Sequence, residues 1–436
     1  MWNLLLLLIT IALSSLIHPV NSICMDHDPI NLNKLLIVDC APKAPKAPKA
    51  PKQQNNNNNS FQLNDENLFQ INFNCQITDN NLCNKVEDIF NMAGDIVTYA
   101  LALNTPIIVN AKFYVMDPKE LGGATPTRYI SLLDEDDQVE RFYPQALVKQ
   151  LQLTSPVAFS YAESDITAEF NSLINWHFPD DKGSIKKDQY DILYTILHEI
   201  IHGLGFISSW RGLGLDTPEK ELTPFLVAGS DDTSITSFDI AESPFIFHGF
   251  RETIFDKFII IKDSNGIQTR LSSFANELNQ FNTSASQFID FYDQLQNTPQ
   301  YEAAKDVLIF STTKNDFIFM PKGSDSIPDD GIILETKIKP YQAGSSISHV
   351  DSIIYNIGNP DFLMRRESIL GVSLNDLVIK SGNITGSAIG PKLLNILSSI
   401  GYNLADNPIK SSATKQSIVD FNLIITLCII FITLNI

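Results

Sequence analysis

His198-Glu199-Ile200-Ile201-His202 sets two imidazoles four residues apart with a carboxylate beside the first. On a helix such positions lie one turn above each other, so both rings can reach one ion while Glu199 sits next to them. These residue types suit hydrolysis at a metal. Neutral imidazole is a zinc ligand, and a carboxylate close to the ion but not bound to it can move protons. With 7 His in 436 residues, the pattern would arise by chance in roughly one such chain in a hundred. The competing reading is a pair of core histidines satisfied by hydrogen bonds. Gly203 and Gly205 follow, and let the backbone leave the helix sharply.

A catalytic zinc takes three protein ligands and keeps a fourth position for water. His27, His177, His248 and His349 are the remaining histidines once the N-terminal segment is set aside. His27 falls in a leader, and His177 in Asn175-Trp176-His177-Phe178 suits packing. His248 lies between Phe247 and Gly249. His349 stands in Gly344-Ser345-Ser346-Ile347-Ser348-His349-Val350-Asp351, where small residues let the chain bend closely around a site. Glu242 is a carboxylate alternative, which would make the site a gluzincin. The residues by themselves leave the choice open.

The elements that must hold these groups follow from periodicity. Residues 189–203 carry Ile192, Leu193, Ile196, Leu197, Ile200 and Ile201 as a wide apolar stripe, which predicts a central helix with Asp188 as N-cap and Asp191 near its positive end. Residues 69–77 and 107–116 read as strands around a helix at 86–103, a β–α–β opening. Residues 165–171 alternate apolar and polar side chains, as a half-buried strand does. Further on, 255–261 reads as a strand and 274–295 as partly helical. Pro391 and Gly401 bracket a last amphipathic helix.

His198-Glu199-x-x-His202-x-x-Gly205-Phe206 resembles the metzincin metalloproteases, whose third histidine usually comes three residues after that glycine. Ser208 stands there in this chain. The leishmanolysin-like branch, with its third histidine displaced downstream ahead of a methionine turn, is the better likeness: Gly344 to His349, then Asp361-Phe362-Leu363-Met364, has that form. The resemblance implies an α+β metzincin-like fold, with a twisted mixed sheet, a central zinc helix, a large insertion, and a C-terminal subdomain containing a methionine turn at Met364. It also implies one catalytic zinc ion on His198, His202 and His349, with Glu199 as general base of a zinc endopeptidase acting on protein or peptide substrates. Residues 165–171 occupy the place of the strand that binds extended substrate by edge pairing. A different class of function on the same fold is a non-catalytic surface binding or adhesion protein.

Composition bounds the rest. Lys plus Arg number 31 against 50 Asp plus Glu, a net charge of -19 that would repel a phosphate backbone and argues against nucleic acid as a partner. Residues 1–22 read as a secretory signal, and 23–60, with four Ala-Pro-Lys copies and an Asn run, as a disordered leader. The resemblance implies a zincin N-terminal subdomain over 61–210, an insertion over 211–340 and a C-terminal subdomain over 341–405. In 406–436, Ser411-Ser412-Ala413, a polar spacer and an apolar run from Leu423 match a glycosylphosphatidylinositol signal, with a tail anchor as the alternative. Cys24, Cys40, Cys75 and Cys83 make an even count in an oxidising compartment. Proximity favours pairing 75 with 83 and 24 with 40, against a free Cys24 acting as a latency ligand. Asn58, Asn282 and Asn383 head glycosylation sequons, and the acidic stretches at Asp231-Asp232 and 325–330 read as solvated loops rather than calcium sites. These features together point to the secretory pathway and the cell surface. Phosphatidylinositol-specific phospholipase C should release the protein from intact cells; its retention on a sensitive membrane would exclude the lipid anchor.

Overall fold

The computed structural model describes residues 23–27, 35–40, 68–151, 153, 159–214, 218–229, 245–324, 331–382 and 387–406. The signal, the repeats, Glu242, Asp231-Asp232, 325–330, Asn58, Asn383 and the apolar tail lie outside them. The chain begins with an antiparallel pair, β1 (Ile23–His27) and β2 (Leu35–Asp39), closed by a Cys24–Cys40 disulfide. This corrects the reading of 23–60 as a disordered leader for residues 23–27 and 35–40. The Ala-Pro-Lys repeat dominates that window's composition, yet Met25 and Leu35 bury their side chains against Tyr129, Phe142 and Phe225. Cys24 is therefore a disulfide partner and not a free ligand.

Alternation builds the next layer. In β3 (Phe69–Cys75) Gln70, Asn72 and Asn74 are exposed while Phe69 is buried; Ile71 and Phe73 pack on the core. Helix α1 (Asn80–Ala100), capped by Asp79 accepting from Asn81 and Leu82 N–H, crosses back to β4 (Ile107–Tyr114), which lies parallel to β3 as such a crossover permits. A Cys75–Cys83 disulfide joins β3 to α1. Next come β5 (Gly122–Pro126), β6 (Arg128–Leu133), β7 (Glu140–Pro144), the short α2 (Gln145–Val148) and β8 (Ile166–Asn171). The main sheet runs β3-β4-β8-β5, with β5 antiparallel at one edge. Residues 165–171 thus lie inside the sheet, between β4 and β5, and the edge role expected of them is unavailable. After β5 the chain passes through Thr127 into a second, antiparallel sheet ordered β2-β1-β6-β7.

Two short strands, β9 (Trp176–His177) and β10 (Tyr190–Asp191), precede helix α3 (Ile192–Gly203). The helix starts three residues later than expected. Asp191, not Asp188, is the N-cap and accepts from Tyr194 N–H at 2.8 Å, while Asp188 accepts from the Asn175 amide at 2.9 Å. Pairing of β10 with β9 holds residues 190–191 extended, so the helix cannot begin before it. Helices α1 and α3 cover one face of the main sheet, Phe90 meeting Phe170 edge-on at 5.5 Å.

Residues 211–340 contain a bulged hairpin, β11 (Phe225–Gly229) and β12 (Ile246–Arg251), and a sheet of β13 (Ile259–Lys262), β14 (Gln268–Arg270), β15 (Phe317–Phe319) and β16 (Ile332–Ile333). Three helices pack with it: α4 (Leu271–Leu278), α5 (Phe288–Gln296) and α6 (Pro299–Ser311). The strand expected over 255–261 is shorter, because Asp256–Phe258 is a 3-10 turn. Helices α7 (Leu374–Lys380) and α8 (Pro391–Ile400) follow, α8 ending at Gly401 with φ +128° as the glycine predicts. Among the described residues no helix is long and apolar enough to cross a membrane. The class is α+β.

Close approach fixes α3 over the sheet: a Cβ built on Gly203 would sit 2.5 Å from Ile166 Cγ2. Gly203→Ala should cost about 1–3 kcal/mol in urea unfolding by overpacking this contact. A neutral substitution would show that the helix can lift without loss.

Candidate metal centre

Helix α3 carries His198 and His202 on one face, and the loop after β16 brings His349 against them. The three residues are each only 6% exposed, and one nitrogen from each of the three rings lies within 4.8 Å of the other two. His349 Nε2 is 3.1 Å from His198 Nε2 and 3.2 Å from His202 Nε2. The opposite nitrogens are all engaged with backbone carbonyls. His198 Nδ1 donates to Leu363 O at 2.7 Å, His202 Nδ1 to Phe206 O at 2.7 Å, and His349 Nδ1 to Ser345 O at 2.9 Å. A carbonyl can only accept, so each ring carries its proton on Nδ1 and turns an Nε2 lone pair toward the other two.

Three lone pairs facing one another at this distance repel unless a cation lies among them. Two imidazole nitrogens 2.0–2.1 Å from a tetrahedral zinc ion would be roughly 3.3 Å apart, so the spacing fits a first-row metal with little adjustment. Carbonyl acceptors on the far nitrogen are also what orient metal-binding histidines. Electrostatics agree with neutral ligands. Burial lowers His198 to about 4 and His202 to about 3, and holds His349 well below its ordinary range.

Glu199 sits at the rim. Its Oε1 is 4.0 Å from His198 Nε2, and its Oε2 accepts the Ala124 N–H of β5 at 3.1 Å. Burial raises Glu199 to about 8, against the pull of that N–H. Nothing in the sequence around Gly123-Ala124 announced this contact, since it is made by a backbone group.

The supports come from separate parts of the chain. Gly205, at φ +115°, turns the backbone so that the Phe206 carbonyl reaches His202. Ser208, at the position where the resemblance would put a third histidine, is buried, and its N–H donates to Ser348 Oγ at 3.1 Å, tying the exit of α3 to the residue before His349. The next turn is pinned by fully buried Asp256, whose Oδ2 accepts from Ser209 N and Oγ and from Thr253 N and Oγ1 at 2.6–3.1 Å. Those bonds make residues 253–258 turn, which is why the expected strand is broken there.

Glu335 N donates to His349 O at 2.8 Å and Glu335 O accepts from Ile347 N at 2.9 Å. Ile347, fully buried, holds φ +66°, a strained conformation for a β-branched residue, and one held two positions before His349. Leu363 O accepts from both His198 and the Tyr194 hydroxyl. Met364 is buried in the main core directly after it. Asp361 Oδ1 caps the start of α8, accepting from Lys392 N at 2.7 Å and Leu393 N at 3.2 Å, and so clamps the 361–364 turn to that helix.

The other histidines lie elsewhere. His177 is buried on β9, 3.6 Å from Asp181. His248 lies on β12 facing Gly229, and His27 is buried on β1. None of them joins the cluster.

Comparison with known proteins places this architecture in a lineage. Residues 24–421 match the SPBPB7E8-like family, and the chain belongs to it. It is similar to the uncharacterized protein PB7E8.01 of Schizosaccharomyces pombe, 27% identical over 386 residues that cover 81% of this chain and 66% of that protein. The chain thus matches a little under two-thirds of that relative's length. No solved structure matches.

Elemental analysis of the purified chain should find one transition-metal ion per molecule. His349→Ala, with its fold checked by circular dichroism, should weaken metal binding by more than the roughly 10–100-fold that loss of an outer-shell partner costs. Equal metal content in the variant would remove His349 from the centre.

Proposed function

We propose that this member of the SPBPB7E8-like family is a zinc-dependent endopeptidase of metzincin-like, leishmanolysin-like design, working in the secretory pathway or at the cell surface. The observation that carries the reading is the convergence of the His198, His202 and His349 lone pairs with a carboxylate, Glu199, 4.0 Å from one of them. A zinc ion held by those three nitrogens would supply an acidified water and polarise the scissile carbonyl.

The chain's own residues do the rest. Glu199 takes the proton of the attacking water and delivers it to the leaving amine, which needs a carboxylate near the ion yet outside its ligand set. Its two oxygens suit that division: Oε2 is steadied by the Ala124 N–H, leaving Oε1 on the side of the histidines. Since β8 is interior, the edge available to an extended peptide beside α3 is β5, where main-chain pairing would give affinity with little sequence preference. The two disulfides favour an oxidising compartment and so support secretion.

Glu199→Gln should keep its metal and lose about 10²–10⁴-fold in kcat on an unstructured protein substrate such as casein. A variant with undiminished turnover would remove Glu199 as the base. Metal-loaded wild type inert toward denatured proteins and peptide libraries would favour a binding protein instead.

A further inference from the structure

Away from the histidines, Arg211 is a half-buried cation whose side chain is only partly satisfied. Its backbone pairs with Thr223, N–H to carbonyl at 2.9 Å in both directions, and its guanidinium carbon lies 4.4 Å from the centroid of the Phe225 ring. Its Nε is buried without a hydrogen-bond partner. So are the Thr223 hydroxyl across the bridge and the Tyr129 hydroxyl, whose ring is 5.5 Å from Phe225. Asp256 attracts the guanidinium; its Oδ2 is committed to Ser209 and Thr253, while its buried Oδ1 makes no hydrogen bond. Burial accordingly pulls Arg211 below its ordinary value. A guanidinium offers five N–H donors in a rigid fork, and burying it without acceptors is costly.

Arg211 and Thr223 line a cavity of about 70 Å³ whose other walls include Leu35, Ile37, Leu213 and Leu226. One side is cationic, the other aliphatic. In a chain of net charge -19, a half-buried cation beside an apolar cavity has a clear complement. We propose that this pocket binds a small carboxylate with a short apolar stem, the Arg211 guanidinium donating to the carboxylate and the stem lying against Leu35, Ile37 and Leu226. An apolar cavity of about 150 Å³ holds a benzene ring, so this one takes a carboxylate and roughly two or three carbons. The pocket makes no use of the histidine centre and does not rest on the peptidase reading.

The full chain titrated with sodium butyrate, followed by ligand-observed NMR, tests it. Saturable binding in roughly the millimolar range is expected, without any by the neutral isostere butyramide. Arg211→Met should weaken it by about tenfold or more. Leu213→Trp leaves the guanidinium in place but fills the cavity, and should abolish binding, which keeps the test decisive if the arginine variant fails to fold. Butyramide binding as well as butyrate does, or unchanged binding in the folded variants, overturns the proposal, as does no saturation at all. Loss of butyrate binding on treatment with a chelator would assign the carboxylate to the histidine centre and overturn it equally.

Discussion

Three imidazoles each donate the Nδ1–H to a main-chain carbonyl, and those carbonyls belong to Phe206, Ser345 and Leu363. Because the acceptors are part of the backbone, no side-chain rotation can change the tautomers; only a shift of the chain can. The Nε2 lone pairs are thereby pressed together in a buried place where they have no proton to share. That convergence must be held by rigid surroundings, and the structure supplies them. Asp191 fastens one end of α3 to α7 through the Leu374 N–H, Gly203 seats the other end on Ile166, and Asp361 locks the 361–364 turn onto α8.

The same economy governs the acidic groups behind the centre. Asp256 and Glu252 are both buried and both pushed up by that burial, and Asp256 raises Glu252 further. Glu252 accepts from Ser272 Oγ at 2.6 Å and from Trp210 Nε1 at 3.3 Å, while Arg141, itself buried, makes a two-pronged bond to Asp137. Removing one partner from such a set leaves a charge stranded, so the group acts as a unit that ties residues 208–210 to the insertion. The insertion therefore helps to hold the loop leaving α3.

The helix of the two histidines was legible in the sequence because its histidines, its apolar stripe and its terminating glycines are local. The β–α–β opening was legible for the same reason, as was the last helix between Pro391 and Gly401. Placing His349 beside the pair depended on resemblance, since residue types alone left His248 and Glu242 in contention. What escaped was non-local. The β1 strand gains its stability from pairing with β6, about a hundred residues on, and its neighbourhood reads as low-complexity chain. Ala124 contributes an N–H, which no residue type encodes, and Asp256 is one acid among 50 until its donors fold around it. Asp188 and Asp191 are equally good caps on paper; only the pairing of β9 with β10 separates them.

The sequence distance across the centre has a consequence for biogenesis. His198 meets the Leu363 carbonyl across 165 residues and the His349 ring across 151. A chain emerging from the ribosome would expose the two helix histidines long before either partner exists. During that interval neither ring of the pair has its full set of orienting contacts, and any ion captured by the pair is held by two donors in exchangeable surroundings. On the proposal that the three rings hold an ion, tight loading would be a property of the completed polypeptide, and occupancy would report that residues 349–364 have reached their place.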